Sequence, residues 1–294
     1  MSQATATLLK PNNKAAKKVN PKWRKASGIN YVVLSLVTFA SAFPFYWMFI
    51  VASSGNEAIA KIPPAIIPGN IFMKSVNSVY ENVDMNIALL NTLFVGIVVA
   101  FCQVMLSAIA GFAFAKLNFK GSRYMVLFVI GTMMLPSQLG IIPLFIFMVK
   151  LGWVDTLTAL IVPALVTAFG VFWMRQIIDA QVPNELLEAA SIDGAGVLRV
   201  FWSVVFPIIR QSSFVLGLFS FLASWNDFLW PQLILKTEAH YTAQVALTQL
   251  NRSYAPDYAT MMAGAVLITA PLILLFMLVG RRLVSGVMDG AVKG

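Results

Sequence analysis

Residues 183–207 read PNELLEAASIDGAGVLRVFWSVVFP, and the fold turns on how this stretch is understood. Glu, Asp, Gly and Arg alternate here with strongly apolar runs, which predicts two short helices joined at a turn. Asn184 stands where it can cap the first helix, and Leu186, Leu187 and Ala190 give that helix an apolar face. Gly194 supplies a permissive backbone directly after Ser191, Ile192 and Asp193. A second short helix from about Gly196 to Val205 places Leu198, Phe201 and Val205 on one side, with Pro207 in the first turn of the next element. Such a unit has one side that must be packed and an acidic side free to face a partner.

The surroundings of this stretch are those of a membrane protein. Of the 294 residues, 59% are hydrophobic and 11% charged, outside the range of a soluble domain. The apolar excess is gathered in six runs, at about 31–53, 90–114, 124–148, 156–174, 207–230 and 259–280, each suited to a hydrocarbon core roughly 30 Å thick. The expected fold class is all-α: a polytopic membrane protein with six transmembrane helices and a cytoplasmic helix-turn-helix segment, 183–207, between the fourth and the fifth. Residues 1–28 form a basic tail and 29–294 the transmembrane domain.

Within the runs, a few residues depart from plain hydrocarbon. Pro44 predicts a bend in the first span, and Ser107, Ala108, Ala110, Gly111 and Ala113 offer the second a small-residue face for close packing. The third contains Pro136, Ser137, Gln138, Gly140 and Pro143. Backbone groups freed at mid-depth must find partners inside the protein, so Pro136, Gln138 and Pro143 mark either a pathway or gate, or a kinked packing helix. Arg175 is expected to end the fourth span, and Arg210 to snorkel from the start of the fifth. At the far end of the fifth, Trp225, Asn226, Asp227 and Trp230 read either as an aromatic belt with a capped terminus or as a contact for solute or an external partner. The connections 57–84 and 232–257 read as external segments, the first mostly loop, the second holding the lone His240, an ordinary loop histidine. Cys102 is a packed small hydrophobe.

Charge sets the orientation. The net charge is +9, and seven Lys and Arg fall in the first 25 residues, among them Lys14, Lys17, Lys18, Lys22, Arg24 and Lys25, with no cleavage signal in the run that follows. With the N-terminus inside, 16 of the 21 basic residues are cytoplasmic, and only Lys61, Lys74, Lys150, Lys236 and Arg252 are external. Six spans then return the C-terminus to the cytoplasm, and the tail favours anionic lipid head groups.

Several chemistries have no basis in the sequence. No Gly is followed by Lys anywhere, so there is no P-loop to hold ATP phosphates. No span carries paired carboxylates or histidines for a proton relay. Serine-rich pieces lack an acyl-transfer constellation, no metal-ligand cluster is present, and the basic tail lacks the aromatic interleaving of a nucleic-acid surface. These absences fit a subunit that moves in response to force applied at a loop.

Glu188, Ala189, Ala190, Asp193, Gly194, Ala195, Phe201 and Pro207 stand at the spacing of the EAA loop, and the chain resembles the membrane subunits of bacterial ABC importers over nearly its whole length. It looks closest to the maltose-type sugar permeases, the second permease of such systems, through Asn91-Thr92-Leu93, Ile142-Pro143-Leu144, Trp225-Asn226-Asp227 and the ending Asp289 to Gly294. Gln211 departs from the pattern, standing where many relatives have a second proline. The resemblance implies an importer for a sugar of disaccharide or oligosaccharide size in a prokaryotic cell membrane. It implies that Glu188, Ala189, Ala190, Asp193, Gly194 and Ala195 dock on an ATPase subunit. Its implied partners are a second permease, two ATPase subunits that bind ATP and Mg, and an extracytoplasmic solute-binding protein, with no cofactor on this chain. Residue chemistry alone leaves open a standalone secondary carrier or a non-transporting membrane scaffold.

Overall fold

The structure, a computed structural model, describes residues 27–60, 62–251 and 257–291. The basic tail up to residue 26, Lys61, Arg252 and the last residues, 292–294, lie outside the described residues. Every regular element among the described residues is a helix. Residues 27–46 form one unit and the rest of the described chain a second. The first is the larger part of α1, Gly28–Ser54, which runs unbroken through Pro44 and whose Tyr31 and Phe39 are exposed.

In the second unit, α2 (Phe72–Asn82) occupies ground expected to be loop. Its Val76 and Val79 fall three apart on one face and are buried, which is enough to hold a helix in an otherwise polar segment. The central element is α3, Met85–Lys116, capped by Asp84, whose side chain accepts the Ile87 N–H at 3.1 Å. After it come α4 (Ser122–Met133), a 3-10 turn at Ser137–Gly140, α5 (Ile141–Leu151), α6 (Thr158–Ala164) and α7 (Ala168–Gln181). Next are α8 (Asn184–Ile192), α9 (Val197–Asn226), α10 (Leu229–Ile234), α11 (Ala243–Gln249) and α12 (Tyr258–Ala291).

Among the described residues, four helices are long and apolar enough to cross a membrane: Gly28–Ser54, Met85–Lys116, Val197–Asn226 and Tyr258–Gly280. Two bent pairs raise the number to as many as six. Ser122–Met133 and Ser137–Leu151 meet at 95°, with Pro136 in an extended conformation at the break and Pro143 in the first turn of α5, where its missing N–H costs nothing. The fourth run, expected as one helix ending at Arg175, is instead broken after Ala164 and bent by 41°. Pro163 weakens the end of α6, while Thr167 turns extended and accepts the Gly170 N–H at 3.1 Å, starting α7 afresh and carrying it past Arg175 to Gln181.

The small-residue face of α3 serves packing within the chain. At Gly111 a Cβ would lie 2.7 Å from the Arg175 backbone nitrogen, so only glycine lets α3 and α7 approach this closely. Gln103 donates to the Thr167 hydroxyl at the break between α6 and α7, giving that break a polar tie to α3. The buried side chains of α3, α7 and α9, including Val104, Ala108, Met174, Ile178, Phe201 and Ile209, form one apolar cluster beneath α8.

Candidate functional site

Residues 183–207 form a helix, a tight turn and the start of a longer helix. Pro183 is extended, which ends the preceding run and opens α8. Asn184 is the first residue of α8 and does not cap it: Pro183 holds the cap position, and no side chain accepts the first N–H groups. The Asn184 Oδ1 accepts from Lys116 Nζ at 2.9 Å instead, because the end of α3 is within reach. At the other end of α8, the Ala195 N–H donates to Ala190 O and the Gly194 N–H to Ser191 O, both at 3.0 Å. This is a Schellman closure, and it needs a left-handed residue; Gly194 provides it at φ 74°.

The expected second short helix is not separate. Val197 to Asn226 is continuous and passes through a π turn at Phe201–Val205 immediately before Pro207. Proline has no N–H to give the preceding turn and its ring crowds it, and a widened turn accommodates both. Phe201 is buried there, at 5.7 Å between ring centres from Phe112 of α3.

The six docking candidates divide by face. Leu187, Ala190 and Ala195 are half-buried against the cluster of α3, α7 and α9. Glu188, Ala189, Asp193 and Gly194 are exposed, together with Leu186, Ile192 at 87% and Leu198 at 71%. Acidic groups and large apolar side chains are thus both exposed along this segment. Beside α8 a cavity of about 430 Å³ is lined by Phe112, Lys116, Leu117, Glu188 and Ile192 among others.

The other candidates stand elsewhere. Pro136, Gln138 and Pro143 are all exposed at the 95° break, where Gln138 Oε1 accepts from the Ser137 hydroxyl at 3.4 Å. Asn226 donates to Leu222 O within the last turn of α9, and Asp227 is half-buried just beyond it. Of the aromatic residues in the cluster, Trp225 and Trp230 pack inward. Trp225 is 2% exposed against Phe221, and Trp230 Nε1 donates to Ala159 O at 2.9 Å. Cys102 is half-buried and unpaired. Among the described residues no three His, Cys, Asp or Glu are grouped so as to hold a metal ion.

Residues 103–289, which take in α8 and the cluster beneath it, match the family described as binding-protein-dependent transport system inner membrane component. The chain belongs to this family. It is a multi-pass inner-membrane permease subunit of an ABC importer, which decides between that reading and a standalone carrier or scaffold. The permease is 30% identical to the lactose transport system permease protein LacG of Rhizobium radiobacter over 90% of its own length and 96% of that relative. Against the arabinooligosaccharides transport system permease protein AraQ of Halalkalibacterium halodurans the identity is 34% over 69% and 73%. Against the sn-glycerol-3-phosphate transport system permease protein UgpE of Yersinia pestis it is 27% over 88% and 95%. A bacterial ABC transporter involved in the import of the acidic polysaccharide alginate shares the fold, with a TM-score of 0.74 at 20% identity over 86% of the permease and 94% of that chain.

At the opposite end of α3 the permease carries a polar junction that sequence reading missed. Asp155, at φ 61°, accepts N–H groups from Lys236 at 2.8 Å and Thr237 at 3.0 Å, and the Thr237 hydroxyl at 2.8 Å. Partial desolvation opposes its charge, but these donors and His240 outweigh it and hold the carboxyl at about 2. His240 Nδ1 lies 3.1 Å from the Thr237 oxygen and 3.4 Å from Asp155 Oδ1. Nearby, Asn91 Nδ2 donates to Ala239 O and Tyr241 O, and Thr92 Oγ1 accepts the Ala243 N–H at 2.8 Å. The connection between α9 and α12 is therefore folded onto the start of α3, with Ala243, Val245 and Ala246 buried. Only the Asp in an otherwise apolar turn (Leu151 to Asp155) hinted at this.

Proposed function

We propose that the permease imports a carbohydrate of disaccharide or oligosaccharide size as one of two homologous membrane subunits, in a system of the maltose type. An extracytoplasmic binding protein delivers the solute. Two ATPase subunits bind ATP and Mg and close on each other, and their movement reaches the spans through α8 and the Gly194 turn. The observation that carries this reading is the exposure of 183–207, where Glu188, Ala189, Asp193 and Gly194 are exposed, as are Ile192 and Leu198, while Leu187, Ala190 and Ala195 rest on α3, α7 and α9. An exposed apolar surface rimmed by charge is the mark of a protein contact. Ala190 and Ala195 contribute by letting α8 lie close to the core, with the four exposed candidates meeting the ATPase groove.

In the same reading both termini and Gly194 are cytoplasmic and His240 external. Pro136, Gln138 and Pro143 border the solute path, because a 95° break with freed backbone groups does not stand in lipid and requires protein or water beside it. Asn226 and Asp227 mark its outer mouth. Lactose and arabinooligosaccharides, named for two relatives, indicate the size class.

The test is to purify the intact complex, reconstitute it in vesicles and measure ATP-dependent uptake of labelled lactose, arabinotriose, maltose and sn-glycerol 3-phosphate. Uptake of a sugar with four-subunit stoichiometry is expected, and uptake of glycerol phosphate alone refutes the sugar assignment. Orientation is read by labelling single cysteines at positions 18 and 240 with an impermeant reagent in intact cells after replacing Cys102. Position 240 should react and position 18 should not; the reverse overturns the topology.

A further inference from the structure

We propose that Lys116 is the positioning residue that fixes α8 against the membrane core, so that movement of α8 is delivered to α3 and α7 instead of being lost as tilt; this rests on the reading of α8 as the docking segment. The Lys116 side chain is 6% exposed in the last turn of α3. Its Nζ donates to Asn184 Oδ1 at 2.9 Å, the first residue of α8, and lies 3.9 Å from Asp179 Oδ1 near the end of α7. One ammonium therefore joins the ends of three helices.

Two local rules are broken at this contact. A lysine side chain this enclosed ordinarily brings its ammonium to hydrogen-bond distance of a carboxylate, because desolvation is costly, and here the carboxylate of Asp179 stands off at 3.9 Å while the close acceptor is a neutral amide. Asn is among the best helix caps, yet Asn184 sits one position inside α8 and directs its oxygen to Lys116, leaving the helix start uncapped. When both partners give up their locally favoured arrangement for the same bond, that bond is a tertiary constraint.

The packing explains why a directional contact is required. Leu187, Ala190 and Ala195 hold α8 to the cluster by apolar contact, which opposes separation but not rotation. Between α8 and the end of α3, the cavity of about 430 Å³ lined by Phe112, Leu117, Glu188 and Ile192 leaves room for the helix to tilt. A hydrogen bond from Lys116 to the first turn sets the angle at which the outer face is presented. The helix C-terminus of α3 adds a favourable field for the ammonium.

The test measures solute carried per ATP hydrolysed in reconstituted complexes, using whichever of lactose, arabinotriose, maltose or sn-glycerol 3-phosphate the wild type accumulates. Lys116→Met and, separately, Asn184→Leu should lower this ratio about fivefold or more, and the double variant should be no worse than either single. Asn184→Asp, which offers the ammonium a charged acceptor, should keep the wild-type ratio. Poor folding lowers uptake and hydrolysis together and leaves the ratio intact, so an unchanged ratio in Lys116→Met overturns the clamp, as do additive losses in the double variant. Gly194→Val in the same vesicles separates the two ideas. Loss of uptake and of solute-stimulated ATPase there, in assembled complexes, with a normal ratio in Lys116→Met removes the clamp alone, and wild-type uptake and ATPase in Gly194→Val remove the docking reading beneath it.

Discussion

At the end of α3 that carries α8, the bonds that close the turn join residues three to five apart: Gly194 to Ser191, Asp193 to Ala189, Ala195 to Ala190. At the other end, Asp155 holds Thr237 across 82 positions, Asn91 holds Tyr241 across 150, and the Asp84 N–H meets Glu238 across 154. A segment closed by its own neighbours keeps its shape when its surroundings shift, which suits a piece that another subunit pushes. A surface stitched from distant loops keeps its shape only while those loops stay together, which suits a rigid face. The contrast predicts that damage at the first end uncouples the transporter, and damage at the second loosens it.

The largest effect is expected at Gly194. No heavy atom lies within 4 Å of the position a Cβ would take, so Gly194→Val does not clash; its penalty is conformational, since a β-branched residue at φ 74° is strained by about 1–3 kcal/mol. The Schellman closure would open and re-aim Asp193 and Ala195. Uptake and solute-stimulated ATPase should fall about tenfold or more in complexes that still insert and assemble. Wild-type coupling in this variant would erase the distinction between the two ends.

Second comes Asp155→Ala, which removes the acceptor of three hydrogen bonds and places a less tolerant residue at φ 61°. Stranding those donors should cost about 1–3 kcal/mol, seen as a lower Tm and faster protease cleavage in 232–241. Transport per ATP should stay near wild type, because α8 is untouched. If the ratio collapses while thermal stability holds, the two ends are not separable.

How much of this was legible in the sequence follows the same division. The turn at Gly194 could be read because its determinants are contiguous, and the runs that span the membrane because hydrophobicity is cumulative. Asn184 was misassigned, since its preference for capping is local whereas Lys116 is 68 positions away. Pro163 did not announce the break after Ala164, because proline also occurs in continuous helices, as at Pro44 and Pro271; the break depends on Thr167 capping α7 and on Gln103 opposite. The Asp155 junction left only the hint of an Asp in an apolar turn, for want of any sequence neighbourhood joining 155 to 236–240. Trp225 and Trp230 were placed at an aqueous rim by type, but burial and the carbonyl of Ala159 claim them.

The Asp155 junction should also respond to pH. The Asp155 carboxyl is depressed to about 2, from the ordinary value of about 3.8, so its contribution is fully present above the ordinary value and is lost as pH falls through the depressed one. Stability of the wild type should therefore decline more steeply than that of Asp155→Asn between about pH 4 and pH 2. Asn tolerates the left-handed conformation and keeps one acceptor, so the two curves should converge at the acid end. Parallel curves throughout that window would show that the carboxylate does not hold the junction.

The smallest effect is expected at Glu188. Its side chain is exposed in the permease by itself and lines the edge of the cavity beside Lys116, so Glu188→Ala leaves the helix with better intrinsic propensity and disturbs no internal bond. On the proposed docking reading, what it removes is a charge on the surface offered to the ATPase subunit. If that carboxylate becomes paired and partly desolvated in the complex, its loss costs about 1–3 kcal/mol of docking, and because the apolar contacts of Ile192 and Leu198 remain, assembly should weaken without the loss of coupling expected at Gly194. The measurement is ATPase-subunit affinity against ionic strength: Glu188→Ala should bind more weakly at low salt and approach the wild type as salt rises, since screening removes the same term from both. Equal affinity at every salt concentration would take Glu188 off the docking face and leave the apolar pair and the Gly194 turn to account for it.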